Sequence, residues 1–179
     1  MGVGGNGEKT SGLGNSGKGG GVRFMWGGGR SFPSDAGDRG VNVYRHWRIH
    51  IISGESGANN SISLVEVQWR SLPGGVPQTT FGTPVTASST RAGYAPRLLL
   101  DGNNITRWES AAGVNADVTL TFDMGVAVSL VELALRTYSA GYSPTAFRID
   151  ASNDGTSFTT IRTYSPVSMP GGAWSVFAI

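Results

Sequence analysis

Three short stretches carry residue types that could do chemistry. Asp101-Gly102-Asn103-Asn104 concentrates one carboxylate and two amide oxygens in a tight turn with bent backbone carbonyls. These are hard oxygen donors of the kind that calcium takes at about 2.3–2.6 Å; the alternative is an Asx-type turn closed only by its own hydrogen bonds. Gly12-Leu13-Gly14-Asn15-Ser16-Gly17-Lys18-Gly19 has the G-x-G-x-x-G spacing of a dinucleotide loop and nearly that of a phosphate loop. It neither follows a strand nor opens a helix, and Gly19 stands where a hydroxyl would have to meet magnesium, so the match is a chance one in glycine-rich sequence. His46 and His50 are the only histidines. On a helix their spacing would bring them together, but on a strand they stand about 13 Å apart on one face, too far to share a metal. They read as surface or interface histidines.

Catalysis finds no foothold. Acid–base work calls for two carboxylates in a cleft, and the acids are scattered through turns (Asp35, Asp38, Asp154) and strand edges (Asp117, Asp123, Glu132, Asp150). Asp154, in Asn153-Asp154-Gly155, has the composition of a tight hairpin turn. There is no cysteine and no serine in a nucleophile-elbow context, so covalent catalysis lacks a nucleophile. The expectation is a protein that is not an enzyme.

The elements that position these residues fall into two parts. Residues 1–40 hold 15 of the 28 glycines and both lysines, Lys9 and Lys18. Such sequence cannot bury enough apolar area to offset roughly 1–2 kcal/mol of backbone ordering entropy per residue, so it reads as a flexible arm, with residues 41–179 as the folded body. Within the arm, Val22-Arg23-Phe24-Met25-Trp26 is an apolar knot between glycine runs, and Phe24, Met25 and Trp26 are candidates for an anchor that inserts between other subunits. The body carries nine arginines and nine carboxylates; a neutral body argues against nucleic acid, which needs a concentrated basic face. No apolar run reaches the ~20 residues that cross a bilayer, and Met1 to Lys18 has no apolar core of a secretory signal, so a soluble protein is expected, without membrane insertion.

From Val41 apolar residues alternate with polar ones, at Trp47, Ile49 and Ile51 and again at Val65, Val67 and Trp69. Period two means half-buried strands. Further strands are expected over Pro84–Thr90, Asp117–Asp123, Val128–Thr137, Thr145–Ser152, Ser157–Thr163 and Ala173–Ile179, with Ser53 to Asn60 as a hairpin loop. Ala95–Leu100 suits a short helix with Pro96 in its first turn. Eight short strands with turns between them describe an all-β, antiparallel jelly-roll sandwich.

Leu100-Asp101-Gly102-Asn103-Asn104-Ile105-Thr106-Arg107-Trp108 resembles the DG-x-x-x-T-x-W segment of discoidin-like domains, the coagulation-factor type C group. Asp117 to Gly125 resembles the family's strand followed by D-L-G, and Ser143 to Phe158 its P-x-x-F-x-I-x-x-S-N-D-G-x-x-W run, with Phe158 in place of the tryptophan. The matches cover about residues 84–179. Trp47 to Ile51 followed by Ile62 to Val67 resembles the closing pair of strands of an ordinary member, here placed first, so the resemblance implies a circular permutation. Exposed, neighbouring termini make such a rearrangement cheap.

The resemblance implies the discoidin-like sandwich and, by residue-wise transfer, a structural calcium held by Asp101, Asn103, Thr106 and Glu66. It also implies a binding end built of loops, which here carry Arg91, Tyr94, Arg107, Glu109, Tyr138 and Tyr142. Aromatic faces stack on sugar rings, and arginine forks grip carboxylates or hydroxyls; the alternative is that these loops pack against neighbouring subunits. Similar modules recur in tail and fibre proteins of bacteriophages. The resulting expectation is a virion protein, multimeric in the assembly, fixed to other virion proteins by the arm and presenting its loops to host surface glycans. A free bacterial carbohydrate-binding module or lectin is the alternative.

Overall fold

The computed structural model describes residues 1–2 and 42–179. The body is an antiparallel sandwich of two sheets, ordered β3-β5-β1-β7-β8 and β4-β2-β6-β9. Strand β1 (Val43–Gly54) lies at the centre of the first sheet, between β5 (Ala116–Ser129) and β7 (Pro144–Ser152). Its alternation decides its faces: Trp47, Ile49 and Ile51 are fully buried, while Arg48 and His50 point away from the core. Ile49 stands opposite Leu120 on one side and Ile149 on the other, so one row of branched side chains crosses three strands.

Strand β2 (Ser63–Arg70) belongs to the other sheet, between β4 (Trp108–Glu109) and β6 (Glu132–Thr137). The segment Ser53 to Asn60, expected to close a hairpin, therefore crosses from one sheet to the other. The reason is visible in the core: Trp47 of β1 and Trp69 of β2 meet across the sandwich at 5.7 Å with their rings tilted by 48°, and Trp69 meets Phe122 edge-on at the same distance. Two strands with matching apolar faces can oppose one another as readily as pair, and alternation alone does not distinguish the two.

Other boundaries move as well. Among the described residues there are nine strands, because β4 is only two residues long and leaves no periodic trace. The Pro84–Thr90 strand contracts to β3 (Val85–Ala87), and the piece around Pro96 is a 3-10 helix, Pro96–Leu100, that buries Leu99 and Leu100. The segments expected as Asp117–Asp123 and Val128–Thr137 are redivided. β5 runs unbroken to Ser129 because Gly125, at φ 75°, takes a left-handed turn within it, and β6 starts only at Glu132. The final strands are β8 (Thr159–Tyr164) and β9 (Trp174–Ala178). In β2 the register shifts between Leu64 and Glu66, so Leu64 joins Val67 and Trp69 in the core, where strict alternation had put Val65.

Among the described residues no helix is long and apolar enough to cross a membrane. The candidate anchor Phe24, Met25 and Trp26 and the glycine-rich Gly12–Gly19 stretch lie outside the described residues.

Candidate functional site

The connections β1–β2, β3–β4, β4–β5 and β6–β7 gather at one end of the sandwich. Asn115 Nδ2 donates to Asn60 Oδ1 at 2.7 Å, and the Gly113 amide donates to Asn59 O at 3.0 Å. The Glu55 amide reaches Ser143 O at 2.9 Å. Gly57 is pressed so closely on the Gly141 carbonyl that a β-carbon would collide with it, which leaves glycine as the residue that fits.

This gathering brings all six loop candidates together. Arg107 is their hub. Its guanidinium lies over the Tyr138 ring at 4.0 Å and the Tyr94 ring at 4.6 Å. Its Nε donates to Glu109 Oε2 and its Nη2 to the Tyr94 hydroxyl, both at 3.3 Å. Arg91 Nη1 donates to Glu109 Oε1 at 2.7 Å, and Tyr142 meets Tyr138 edge-on at 6.0 Å. Glu109 itself is 1% exposed and also accepts from the Ser61 hydroxyl, so its carboxylate stands behind the arginines and holds them. Beside Arg107 opens a cleft of about 460 Å³ lined by Tyr94, Leu98, Ile105 and Thr106. Ile105 is 86% exposed, an apolar residue inside a polar turn, and that incongruity is its signal in the sequence.

Burial alone would raise the Glu109 carboxyl, but the hydrogen bonds from Arg91, Ser61 and Arg107 outweigh it and hold the group below the usual glutamate range. Asp150, 1% exposed on the outer face of the first sheet, behaves likewise: burial opposes its charge, while Arg48, Thr160 and Arg148 more than restore it. Both groups therefore stabilise the fold fully above the unfolded carboxyl pKa of about 4 and lose that contribution as pH falls through their lower folded values. Urea unfolding between pH 6 and pH 2 is expected to show a loss of about 1–3 kcal/mol per carboxylate at the acid end. Glu109→Gln and Asp150→Asn should each flatten that slope, and an unchanged slope in both would mean these pairs do not carry the acid sensitivity.

The four cation candidates meet at a neighbouring corner. The Asn103 amide donates to Asp101 Oδ1 at 2.9 Å, and the Thr106 hydroxyl lies 2.8 Å from Asp101 Oδ2 and 2.9 Å from Asn103 O. The Ile105 amide donates to the Asn103 side-chain oxygen at 3.1 Å. Under this turn lies Glu66, from the shifted segment of β2; burial first, and then the negative charge of Asp101, push its carboxyl up to about 7. Its Oε1 is buried with no hydrogen-bond partner. An orphaned buried carboxylate oxygen beside a second carboxylate fits a hard divalent cation. Among the described residues no three His, Cys, Asp or Glu side chains converge, so backbone and amide oxygens would have to complete the shell.

His46 and His50 lie on β1. His50 Nε2 is 3.5 Å from Asp117 and its Nδ1 is 4.0 Å from the buried Asp150, and neither ring nitrogen has a hydrogen-bond partner. Phe158 lies under the Arg48 guanidinium at 3.8 Å, a contact the sequence did not announce. Asp154 takes the amides of Thr156 and Ser157 at 2.8 and 2.7 Å, which accounts for it as a turn residue.

The two-sheet sandwich thus presents arginine and tyrosine side chains from its loops at one end. A family model for the F5/8 type C domain matches residues 84–175, more than half of the chain. The chain belongs to this discoidin-like family, whose domains are ligand-binding modules, carbohydrates among their ligands. No curated protein and no solved structure matches the chain.

Proposed function

We propose that the protein is a non-enzymatic, carbohydrate-binding attachment module, held by its glycine-rich arm in a larger assembly, a phage tail, fibre or capsid being the setting that this architecture suits. The observation that carries the binding part is the Tyr94–Arg107–Tyr138 stack at the loop end, anchored from behind by buried Glu109. Rings and guanidinium are fixed before any ligand arrives, so little side-chain freedom is lost on binding. The arm's composition, with its Phe24-Met25-Trp26 knot, supports attachment to other virion proteins and a multimeric state. Asp101, Asn103, Thr106 and Glu66 would hold a structural calcium that neutralises the two neighbouring carboxylates and ties the turn to β2. The circular permutation belongs to the same reading: β1 and β2 precede the family-matched span, yet one is central to each sheet. A free lectin is the second reading, favoured by the placement of all six loop candidates on the body, far along the chain from the arm.

A glycan array probed with the full chain and with a chain lacking residues 1–40 tests both parts. Equal binding by the two chains is expected, together with loss of particle incorporation on arm deletion. Absence of any glycan binding would end the attachment reading, and unchanged incorporation would replace the anchored module with the free lectin.

A further inference from the structure

The geometry of the loop cleft points to a saccharide that carries a carboxylate, a uronic acid or a sugar acid of that kind, in preference to a neutral sugar; this rests on the carbohydrate-binding reading above. The cleft wall carries one guanidinium and no side-chain carboxylate or amide. Arg107 is the charged residue that lines it, and Arg107 Nη1 makes no hydrogen bond among the described residues while Nε and Nη2 are both engaged. A guanidinium clamped over two rings, with a free N–H edge, is preorganised for a planar carboxylate.

Neutral sugars present neighbouring hydroxyls that both donate and accept, so a site selective for them gains from a side-chain carboxylate or amide acceptor beside its donors, and no such side chain lines this cleft. Glu109 cannot serve: its Oε1 takes Arg91 and Ser61, its Oε2 takes Arg107, and its side chain is 2% exposed. The Thr106 hydroxyl is turned to Asp101 and Asn103. Glu55, exposed on an adjoining loop, has its backbone against Ser143 and does not line the cleft, and half-buried Asp101, in the turn that carries Ile105 and Thr106, is not in the lining and accepts the Asn103 amide and the Thr106 hydroxyl.

The charge balance agrees. Two guanidiniums share the single buried carboxylate of Glu109, and the outer one, Arg91, is 40% exposed. Exposed Arg97 lies on the 3-10 helix whose Leu98 faces the cleft. Leu98, exposed Ile105 and the Tyr94 ring supply the apolar wall that a sugar ring's C–H face covers.

The test is a titration of the full chain with a galacturonic acid oligomer and with its methyl ester, which keeps ring and linkage and removes the charge. Vesicles of phosphatidylserine in phosphatidylcholine form a third arm. The acid oligomer is expected to bind at least tenfold more tightly than the ester, with the gap narrowing as salt is raised. Arg107→Gln combined with Glu109→Gln, which removes the buried charges together, should close most of the gap. Arg91→Gln, on the exposed rim, should narrow it about threefold and keeps the test alive if the double variant does not fold. Equal or tighter binding of the ester overturns this inference and leaves the carbohydrate reading standing. Binding of neither oligomer overturns both, and binding of the anionic vesicles alone overturns both in favour of a lipid surface.

Discussion

A chain cut back to residues 84–179 is expected to show no cooperative melting transition, although it keeps the whole family-matched span. Removing residues 42–83 takes away β1, which pairs with β5 from Val43 to Ser53 and with β7 from His46 to Gly54. The first sheet is then split into β3-β5 and β7-β8, and the second loses the strand that joins β4 to β6. Seven side chains that sit in the core at 0–1% exposure go with them: Trp47, Ile49, Ile51, Ile62, Leu64, Val67 and Trp69. Two-stranded remnants without a covered face are not independently stable. In the full chain the same dependence should appear in milder form on Trp47→Ala. Trp47 packs edge-on against Tyr44 at 5.8 Å, meets Trp69, and donates its indole N–H to Tyr44 O at 3.0 Å. Truncating a buried tryptophan costs about 3–5 kcal/mol, which for a body of this size is a fall in melting midpoint of about 10 °C or more. Differential scanning calorimetry reads both. A sharp transition in the 84–179 chain would mean that the first two strands decorate a fold complete without them.

What the sequence disclosed and what it withheld follow from the range over which each signal acts. Alternation is local, and it located the apolar faces: Trp47, Ile49 and Ile51, Val118, Leu120 and Phe122, and Phe147, Ile149 and Ala151 are all fully buried. Partnership is not local. That β1 and β2 oppose one another across the core, and do not form a hairpin, depends on β5, β6 and β7 competing for their edges. The fate of Asp150 shows the same limit. Placed on the outward face of β7, it reads as an exposed strand residue, yet Arg48 from β1 and Arg148 from its own strand close over it. The loop end was legible through its residue types, because arginine and tyrosine concentrated in turn-rich sequence have few other uses. The stacking order was not, since Arg107 and Tyr138 are thirty-one positions apart and meet only when the β3–β4 and β6–β7 loops share an end. Glu66 is marked by the family pattern alone; its shift in register, beside which its carboxyl meets Asp101, has no trace in the local composition.

Calcium is expected to raise the melting midpoint relative to EDTA, and Glu66→Gln to abolish the response. The physical basis is the pairing of Glu66 with Asp101 at a site where burial already disfavours charge on Glu66. A divalent cation turns that mutual repulsion into shared attraction and gives the partnerless Oε1 a ligand to hold. Since calcium would bind the folded state alone, stabilisation follows mass action, about 2.7 kcal/mol when its concentration is a hundred times the dissociation constant. The variant separates this from general damage: an amide beside Asp101 removes the like-charge contact, so in EDTA at neutral pH Glu66→Gln should be no less stable than the parent chain. Magnesium should substitute poorly, because a turn that offers mixed carboxylate, amide and backbone oxygens suits the larger, more flexible shell. If calcium leaves the parent midpoint where EDTA leaves it, the corner is closed by its own bonds. The Asn103 amide and Thr106 hydroxyl would then be the lasting partners of Asp101, with Glu66 keeping its proton in place of a metal.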